Sequence, residues 1–464
     1  MQTASPSQLA DRPDRLPLGI KLGFGVGDLG GNLFFTIIGF FLLNYLTDSF
    51  GLAAAAAGTA VSLGKIWDAI TDPAVGYLSD RTHTRWGRRR PYMAVGAVFL
   101  FVFLILMFTD PGIASDSGKF VYALVVYCLL NTAYTLVNIP YGSLTPELTS
   151  DFEERTTLNG FRMSFAVVGT LIGAGLTMIL VDAFGGPPRG WTLTAAVMGA
   201  VMATATFITV FTVKEQLGAP LKENVKLLRS YWEVVRQRPF LTILGPYALH
   251  MTGISIIQAS LIYYFRYIYR AEEQFQFALL FLLVAALVCI PIWVMISRKI
   301  GKKGAYNTGM AILATAVVVF FFLGPQLPVW FAFVVFGIGG IGLSTNYVMP
   351  WSLVPDVVEN DFAQNGRRRE GIFYGMWTFM SKIGSAFGLG LTGWILGALA
   401  YIEPTSPDSL PVQPDTAILG IRLLAGPVPA VFFVLGIVVL SFYPITKDVY
   451  AEIMRKVEER ERQE

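Results

Sequence analysis

The sequence predicts an all-α membrane protein with twelve transmembrane helices in two pseudo-symmetric halves of six. Of the 464 residues, 54% are hydrophobic and 14% are charged, whereas a soluble domain carries roughly 25% charged residues. The chain contains twelve mostly apolar runs of about 20 residues or more, the length that crosses a bilayer as a helix. Two sequence patterns also recur in the second half of the chain, roughly 200 residues after the first.

The predicted spans follow these apolar runs in order. They cover residues 19–48, 52–80, 91–110, 119–146, 157–183, 191–213, 240–268, 274–297, 304–323, 327–356, 369–399 and 417–443. The polar N-terminus lacks the apolar core of a signal peptide, so we expect the first span to be an uncleaved anchor. Cys128 and Cys289 both lie in apolar runs, and no disulfide framework is predicted.

The distribution of basic residues predicts the orientation. The loops after spans two, eight and ten and the connector at 214–239 are rich in lysine and arginine. The alternate loops carry single basic residues at Lys119, Arg189 and Arg270. Because basic loops stay on the cytoplasmic side, we expect a multi-pass protein of the cell membrane with both termini in the cytoplasm.

The repeats predict the domain organisation. Ser143-Leu-Thr-Pro146-Glu147 ends span four, Ser352-Leu-Val-Pro355-Asp356 ends span ten, and the basic loop of span two recurs after span eight. We therefore expect an N-terminal half at 1–213, a cytoplasmic connector at 214–239, and a C-terminal half with a cytoplasmic tail at 240–464. The connector pattern predicts an amphipathic helix on the membrane surface, with partner binding as the alternative.

The second span holds ionisable residues where a bilayer helix is expected to hold none. Asp68 and Asp72 lie four residues apart, on one face of a helix, and Lys65 lies one turn earlier. Each central charge costs about 2.5–3.5 kcal/mol on insertion scales, so such charges usually serve a function. Two carboxylates on one face favour a bound cation or proton.

Oxygen ligands for this cation are available on span four. The hydroxyl of Thr135 and the carbonyl of Asn138 would complete an oxygen site with Asp68 and Asp72, since hard cations prefer oxygen. This set of oxygen ligands is compatible with Na⁺ as the coupling ion and equally with H⁺. An alternative is that these charges are structural ion pairs.

Lys382 is the basic residue of span eleven and matches the aspartates in charge. We expect it to pair with Asp68 or Asp72 and, together with Lys65, to form a charge network that couples the cation to movement of the halves. Trp377, on the same span, offers an aromatic face for a sugar ring, whereas Tyr374 favours core packing. The lone His250 favours a packed polar residue over a proton relay.

Charged residues near the predicted cytoplasmic ends favour a gate, with topology signalling as the alternative. The candidates are Asp80, Arg81, Arg88, Arg89, Glu147, Arg155, Asp356, Glu359 and the arginine run 367–369, which includes Arg368.

Several motifs together resemble one transporter family. They are Trp67-Asp68-Ala-Ile-Thr-Asp72-Pro73, Arg85-Trp86-Gly87-Arg88, Lys21-Leu-Gly-Phe-Gly-Val-Gly-Asp28, Asn138-Ile-Pro140-Tyr-Gly-Ser143-Leu and Arg369-Glu370-Gly-Ile-Phe-Tyr374. Over nearly the whole chain, the sequence resembles the melibiose-carrier family, the glycoside–pentoside–hexuronide:cation symporters of the major facilitator superfamily. The resemblance implies the major facilitator fold, a cation site at Asp68, Asp72 and Thr135, a sugar contact at Arg162, and a lysine near the cation at Lys382.

The chain departs from the melibiose carrier where the sugar binds. The family's two sugar-binding acids fall at Asn32 and Asn138, its sugar-stacking tryptophan falls at Gly142, and an aromatic residue of the second half falls at Tyr347. Asp28, one turn before Asn32, is the candidate replacement for the lost acid. A different glycoside, pentoside or hexuronide is therefore expected instead of a galactoside.

The sequence thus predicts a secondary active symporter, acting as a monomer, that couples Na⁺ or H⁺ entry to uptake of a sugar or glycoside. A cation-coupled carrier of lysolipids or other amphiphiles is an alternative, because vertebrate lysophospholipid symporters share the motif of span two. A receptor or scaffold that no longer transports is an alternative of another class. No catalytic constellation, nucleotide loop, cofactor motif or nucleic-acid patch is visible, so an enzyme is not expected.

Overall fold

The computed structural model describes residues 16–82, 84–149, 152–213, 232–366, 369–404 and 410–461. Nearly all of these residues are helical, and the all-α prediction is confirmed. The predicted amphipathic helix of the connector lies mainly at residues 214–231, outside the described ranges.

Six helices form the first part of the chain, and their order matches predicted spans one to six. They are α1 (Leu18–Asn44), α2 (Ala54–Arg81), α3 (Arg90–Met107), α4 (Asp116–Leu148), α5 (Phe152–Ala183) and α6 (Arg189–Thr212). A π-helical turn at Tyr45–Ser49 extends α1. Pro73 lies inside α2, one residue after Asp72.

The second part begins with α7 (Arg238–Tyr264), which continues in a π-helical turn at Phe265–Tyr269. The helical stretch Phe275–Leu323 is broken at Gly301, whose φ of 81° is favourable for glycine. We number its arms α8 (275–300) and α9 (302–323), and they match predicted spans eight and nine.

The remaining helices differ from the sequence pattern in two places. They are α10 (Trp330–Asn365), α11 (Glu370–Ala398), α12 (Asp415–Leu424), α13 (Pro427–Ser441) and α14 (Lys447–Glu461). The twelfth predicted span is broken into α12 and α13 at Gly426-Pro427, because proline lacks the N–H that a continuing helix needs. Helix α14 is polar and was not predicted; its Ile453 and Val457 pack on Phe362 and Ala363.

Within the described part, nine helical stretches have the length and hydropathy of membrane spans, and one of them contains both α8 and α9. Among the long helices, α2 and α11 are outside that set. These two helices carry the internal charges Lys65, Asp68, Asp72 and Lys382.

The described residues form two compact units, which fall within the following ranges. Unit 1 consists of residues 1–38, 70–113 and 125–222, and its core packs residues of α1, α3, α4, α5 and α6, including Phe24, Met93, Tyr141, Leu158 and Val210. Unit 2 consists of residues 39–69, 114–124 and 223–464. Its largest buried side chains include Trp377, Tyr263 and Tyr306. The boundaries at 213 and 240, which come from the sequence repeat, stay a prediction.

Candidate cation and substrate sites

Close packing of α2 against α11 positions the first group of charges, within unit 2. A Cβ on Gly58 would lie 2.8 Å from the Cα of Gly393, and a Cβ on Gly390 would lie 3.0 Å from the Cβ of Ser62. Side chains of ordinary size would separate the helices here. From Gly58 to Ser62 along α2, the contacted residue on α11 changes from Gly393 back to Gly390. The two helices are therefore antiparallel, and Lys382 lies opposite Asp68.

Asp68 is completely buried and faces two lysines. Its Oδ2 lies 2.9 Å from Lys382 Nζ and 3.1 Å from Lys65 Nζ. Lys65 approaches from one turn away on α2, as its spacing predicts, and Lys382 approaches from α11. Both lysines are also buried. The pairing of Lys382 with an aspartate of α2, one of the two arrangements predicted from charge matching, is present in the structure.

Asp72 belongs to unit 1 and contacts α4. The buried hydroxyl of Thr135 donates a hydrogen bond of 3.1 Å to Asp72 Oδ1. Asn138, one turn further along α4, is partly buried, and its side chain makes no hydrogen bond within the described ranges. Of the four predicted cation ligands, Asp72 and Thr135 are therefore joined by a direct hydrogen bond.

A second polar group in unit 1 centres on Asp28. Arg162 Nε lies 2.6 Å from Asp28 Oδ2, and Arg162 Nη1 donates a 3.1 Å hydrogen bond to Thr145. The Tyr141 hydroxyl lies 2.9 Å from Asp28 Oδ2. Asn32 donates to the backbone carbonyl of Asp28, one turn away. Helices α1, α4 and α5 thus bring two predicted substrate residues, Asp28 and Arg162, into direct contact.

Aromatic packing explains how α1 and α5 hold this pair. Arg162 lies over the rings of Tyr141 and Phe24, with its guanidinium carbon 5.0 and 5.6 Å from the ring centroids. A Cβ on Gly25 would lie 3.0 Å from the ring of Phe165, so the two helices are close at this level. Tyr141, which the sequence analysis did not single out, both hydrogen-bonds Asp28 and supports Arg162.

The aromatic residues of unit 2 are arranged differently from the prediction. Trp377 is 1% exposed and stacks on Tyr247, with ring centroids 4.1 Å apart, so its faces are covered by protein. Tyr374, expected in the core, is 36% exposed and lies parallel to Trp351. Tyr347 is exposed on the same face of α10 as Trp351, four residues before it. Tyr347, Trp351 and Tyr374 therefore form one exposed aromatic patch in unit 2.

The gate candidates divide between the described and undescribed parts of the chain. Arg368 and the side chains of Asp80 and Glu147 lie outside the described residues. Arg81 is exposed and stacks on the ring of Tyr77, with its guanidinium carbon 3.9 Å from the centroid. Arg88 and Arg89 are largely buried, and Arg89 donates to the backbone carbonyl of Ser143 on α4.

Three ion pairs lie in unit 2 near the predicted cytoplasmic ends of its helices. Lys302, just after the break at Gly301, lies 2.7 and 2.8 Å from the two carboxylate oxygens of Asp356. Arg369 contacts Asp361 at 2.6 Å and Glu233 at 3.1 Å. The hydrogen bond to Asp361 is the main cause of the raised pKa of Arg369. Arg369 belongs to the arginine run 367–369, which the sequence predicts as part of the gate.

Two further polar groups lie in unit 2, and the sequence pattern did not indicate the first of them. Asp48 is buried beside Arg266 and Tyr401 in unit 2. His250 is fully buried, and its Nδ1 lies 2.6 Å from the hydroxyl of Tyr306, which donates to Asn346. This arrangement supports the interpretation of His250 as a packed polar residue.

The sequence of residues 23–447 matches the MFS/sugar transport protein family. The chain belongs to this family. The predictions of a major facilitator fold and of the glycoside–pentoside–hexuronide:cation symporter family are confirmed. As a member of the family, the chain is an integral membrane transporter, and the prediction of a transporter instead of an enzyme is confirmed.

Relatives within the family align with this member over most of their length. A protein of Escherichia coli (strain K12), the glucuronide carrier protein homolog, is 31% identical and 95% of each chain is covered. The isoprimeverose transporter of Lactiplantibacillus pentosus is 30% identical, with 97% of this chain and 93% of the relative covered. Among solved structures, a mutant form of the nucleoside transporter NupG matches with a TM-score of 0.67 at 12% identity, over 91% of this chain and 98% of that one. This likeness supports the fold.

Proposed function

We propose that the protein is a secondary active symporter that couples the entry of Na⁺ or H⁺ to the uptake of a sugar or glycoside by alternating access. It would act as a monomer in the cell membrane, with both termini in the cytoplasm, as the basic loops indicate. The names of the relatives favour a glycoside or uronide as solute.

The observation that carries the proposal is the environment of Asp68. A fully buried carboxylate in a membrane helix faces two ammonium groups, while Asp72 follows one turn later on α2. Intramembrane charges of this kind mark ion pathways. Thr135 supports Asp72 as an oxygen ligand by holding its carboxylate at 3.1 Å.

Cation binding and the lysine contacts would compete. Oδ2 of Asp68 already faces Lys382 and Lys65, so a cation that binds this oxygen competes with two ammonium groups. Displacement of Lys382 would weaken the link between α2 and α11. Because a ligand shifts a conformational equilibrium by its differential affinity for the states, this competition supplies a route from cation binding to conformational change.

The group around Asp28 is the proposed solute site. Its Arg162 guanidinium and Asp28 carboxylate present donors and acceptors that match sugar hydroxyls. For a uronide, the same arginine would pair with the carboxylate of the solute.

Uptake by proteoliposomes tests the proposal. Labelled glucuronide, xyloside and lysolipid would be supplied under a Na⁺ gradient, a pH gradient or neither. We expect gradient-dependent glycoside uptake that Asp72→Asn abolishes and the control Asp116→Asn, at an exposed acid of α4, leaves intact. Lysolipid uptake alone would support the amphiphile carrier, and absence of transport for all three solutes would contradict the symporter.

A further inference from the structure

A dense polar cluster surrounds Asp48, which lies midway in the sequence between Asp28 of the proposed solute site and Asp68 of the proposed cation site. The carboxylate, whose side chain is 1% exposed, accepts hydrogen bonds from Asn44 at 3.1 Å, from Thr47 at 2.7 Å and from the hydroxyl of Tyr401 at 2.7 Å. Arg266 pairs with its other side at Oδ2. All of these residues belong to unit 2.

Arg266 is itself held in a fixed orientation. Its Nε and Nη2 bind the two carboxylate oxygens of Glu272 at 2.6 and 2.7 Å, the bidentate geometry that fixes a guanidinium. The remaining nitrogen, Nη1, points to Asp48. Arg266, in the turn that follows α7, is thus held with one guanidinium nitrogen directed at the turn that follows α1.

The segment after α11 supplies the other contacts. Besides the Tyr401 hydrogen bond, Glu403 Oε1 accepts from the backbone N–H of Ala54, the first residue of α2, at 2.8 Å. Gln413 fixes this segment through two hydrogen bonds with the backbone of Ile402, at 2.9 and 2.6 Å. Burial and the carboxylate of Asp48 raise the pKa of Tyr401 well above its ordinary value, so the hydroxyl remains a donor.

The connections that meet here share one property. They follow α1, α7 and α11, whereas the basic connections follow α2, α8 and α10. Since consecutive spanning helices alternate in direction, these contacts lie at the membrane side opposite the basic loops. They also join a segment of the predicted N-terminal half, 44–54, to the predicted C-terminal half.

We propose that Asp48, Arg266, Tyr401 and Glu403 form a latch that closes the non-cytoplasmic end of the transporter and must open before a solute enters from that side. We call this set the Asp48 latch. The proposal rests on the proposed alternating-access function, because a carrier of that kind has to separate its halves at this end. The latch is suited to reversible opening: its contacts are polar, and its groups can exchange protein partners for water once exposed.

Spin-label distance measurements on the full chain test the latch. Labels would be placed at Ala53→Cys and Glu273→Cys, both exposed, after replacement of Cys128 and Cys289 by serine. Asp48→Asn keeps the side-chain volume and removes the charge. The control Glu452→Gln breaks an exposed ion pair of α14, in which Glu452 lies 2.7 Å from Lys456.

The two spin labels report an open population, with a long distance between them, and a closed population, with a short one. We expect Asp48→Asn and Arg266→Gln to raise the ratio of open to closed population about tenfold or more, because each loses one charge-assisted hydrogen bond. Tyr401→Phe should raise it less, and Glu452→Gln should leave it unchanged. Unchanged distances in Asp48→Asn would overturn the latch. If that variant does not fold, Tyr401→Phe and Glu403→Gln replace it, and unchanged label distances in both would overturn the latch.

The measurement needs no solute, so the two proposals fail separately. If the label distances respond to Asp48→Asn while the parent transports no glycoside, the latch is supported and the proposed symport is contradicted. Intact uptake with distances that never respond would support symport and overturn the latch.

Discussion

Lys382 and Lys65 place their ammonium groups 2.9 and 3.1 Å from the same oxygen, Oδ2 of the buried Asp68. One negative charge therefore stabilises two positive charges that come from different helices. Removing a single partner from a buried ion pair leaves an uncompensated charge, whereas removing a matched pair does not. Asp68 is thus important for stability as well as for the proposed cation site.

The first prediction concerns this carboxylate. Asp68→Asn leaves two buried ammonium groups facing a neutral amide, and we expect the free energy of unfolding to fall by about 3–5 kcal/mol. Thermal unfolding of the purified protein in detergent measures this, with Asp116→Asn as the control. The double variant Asp68→Asn, Lys382→Met should recover part of the lost stability but no cation-coupled uptake. A single variant as stable as the parent would contradict this account of the ion pairs.

The second prediction separates cation binding from folding. Thr135→Val removes the hydroxyl that donates to Asp72 and would serve as a cation ligand, while it keeps the side-chain shape. We expect the cation concentration for half-maximal uptake to rise about tenfold, the effect of one lost polar contact. Thr132→Val is the matched control, because Thr132 donates to Cys128 within α4. An equal effect of both substitutions would point to a general disturbance of α4.

The third prediction concerns solute recognition. Arg162→Lys keeps the charge but loses the planar fork that contacts Asp28 and Thr145. We expect KM for the glycoside to rise about tenfold or more, with stability little changed. Arg189→Lys, at the exposed first position of α6, should have no effect. An unchanged KM in Arg162→Lys would place the solute elsewhere.

The sequence predicted those parts of the structure that follow from local pattern. Hydropathy located eleven predicted spans close to observed helices, and the charge pattern of α2 and α11 anticipated the contact between Asp68 and Lys382. Hydropathy did not predict α14, because that helix is polar and packs through a few apolar residues.

Contacts between distant loops were not predictable in this way. Asp48 contacts Arg266 and Tyr401, which are 218 and 353 residues away in the sequence. Each of these residues lies near a helix end, in a segment whose composition does not differ from that of an ordinary loop. Trp377 was assigned to a solute surface from its neighbours on the helix. Its burial is decided by Tyr247 on α7, which no pattern within α11 reveals.

The last prediction tests whether helix packing sets the Asp68–Lys382 contact. Gly393→Ala would place a methyl group 2.6 Å from the Cα of Gly58, where backbone has to move. We expect α2 and α11 to separate, with a loss of stability of about 1–3 kcal/mol for overpacking and a larger loss of coupled uptake. Gly371→Ala is the matched control on α11, because its Cβ would meet no atom within 4 Å. Since alanine favours helix over glycine by about 1 kcal/mol, the control should be as stable as the parent or more so. Equal uptake in the two variants would show that the spacing of α2 and α11 does not govern the contact between Asp68 and Lys382.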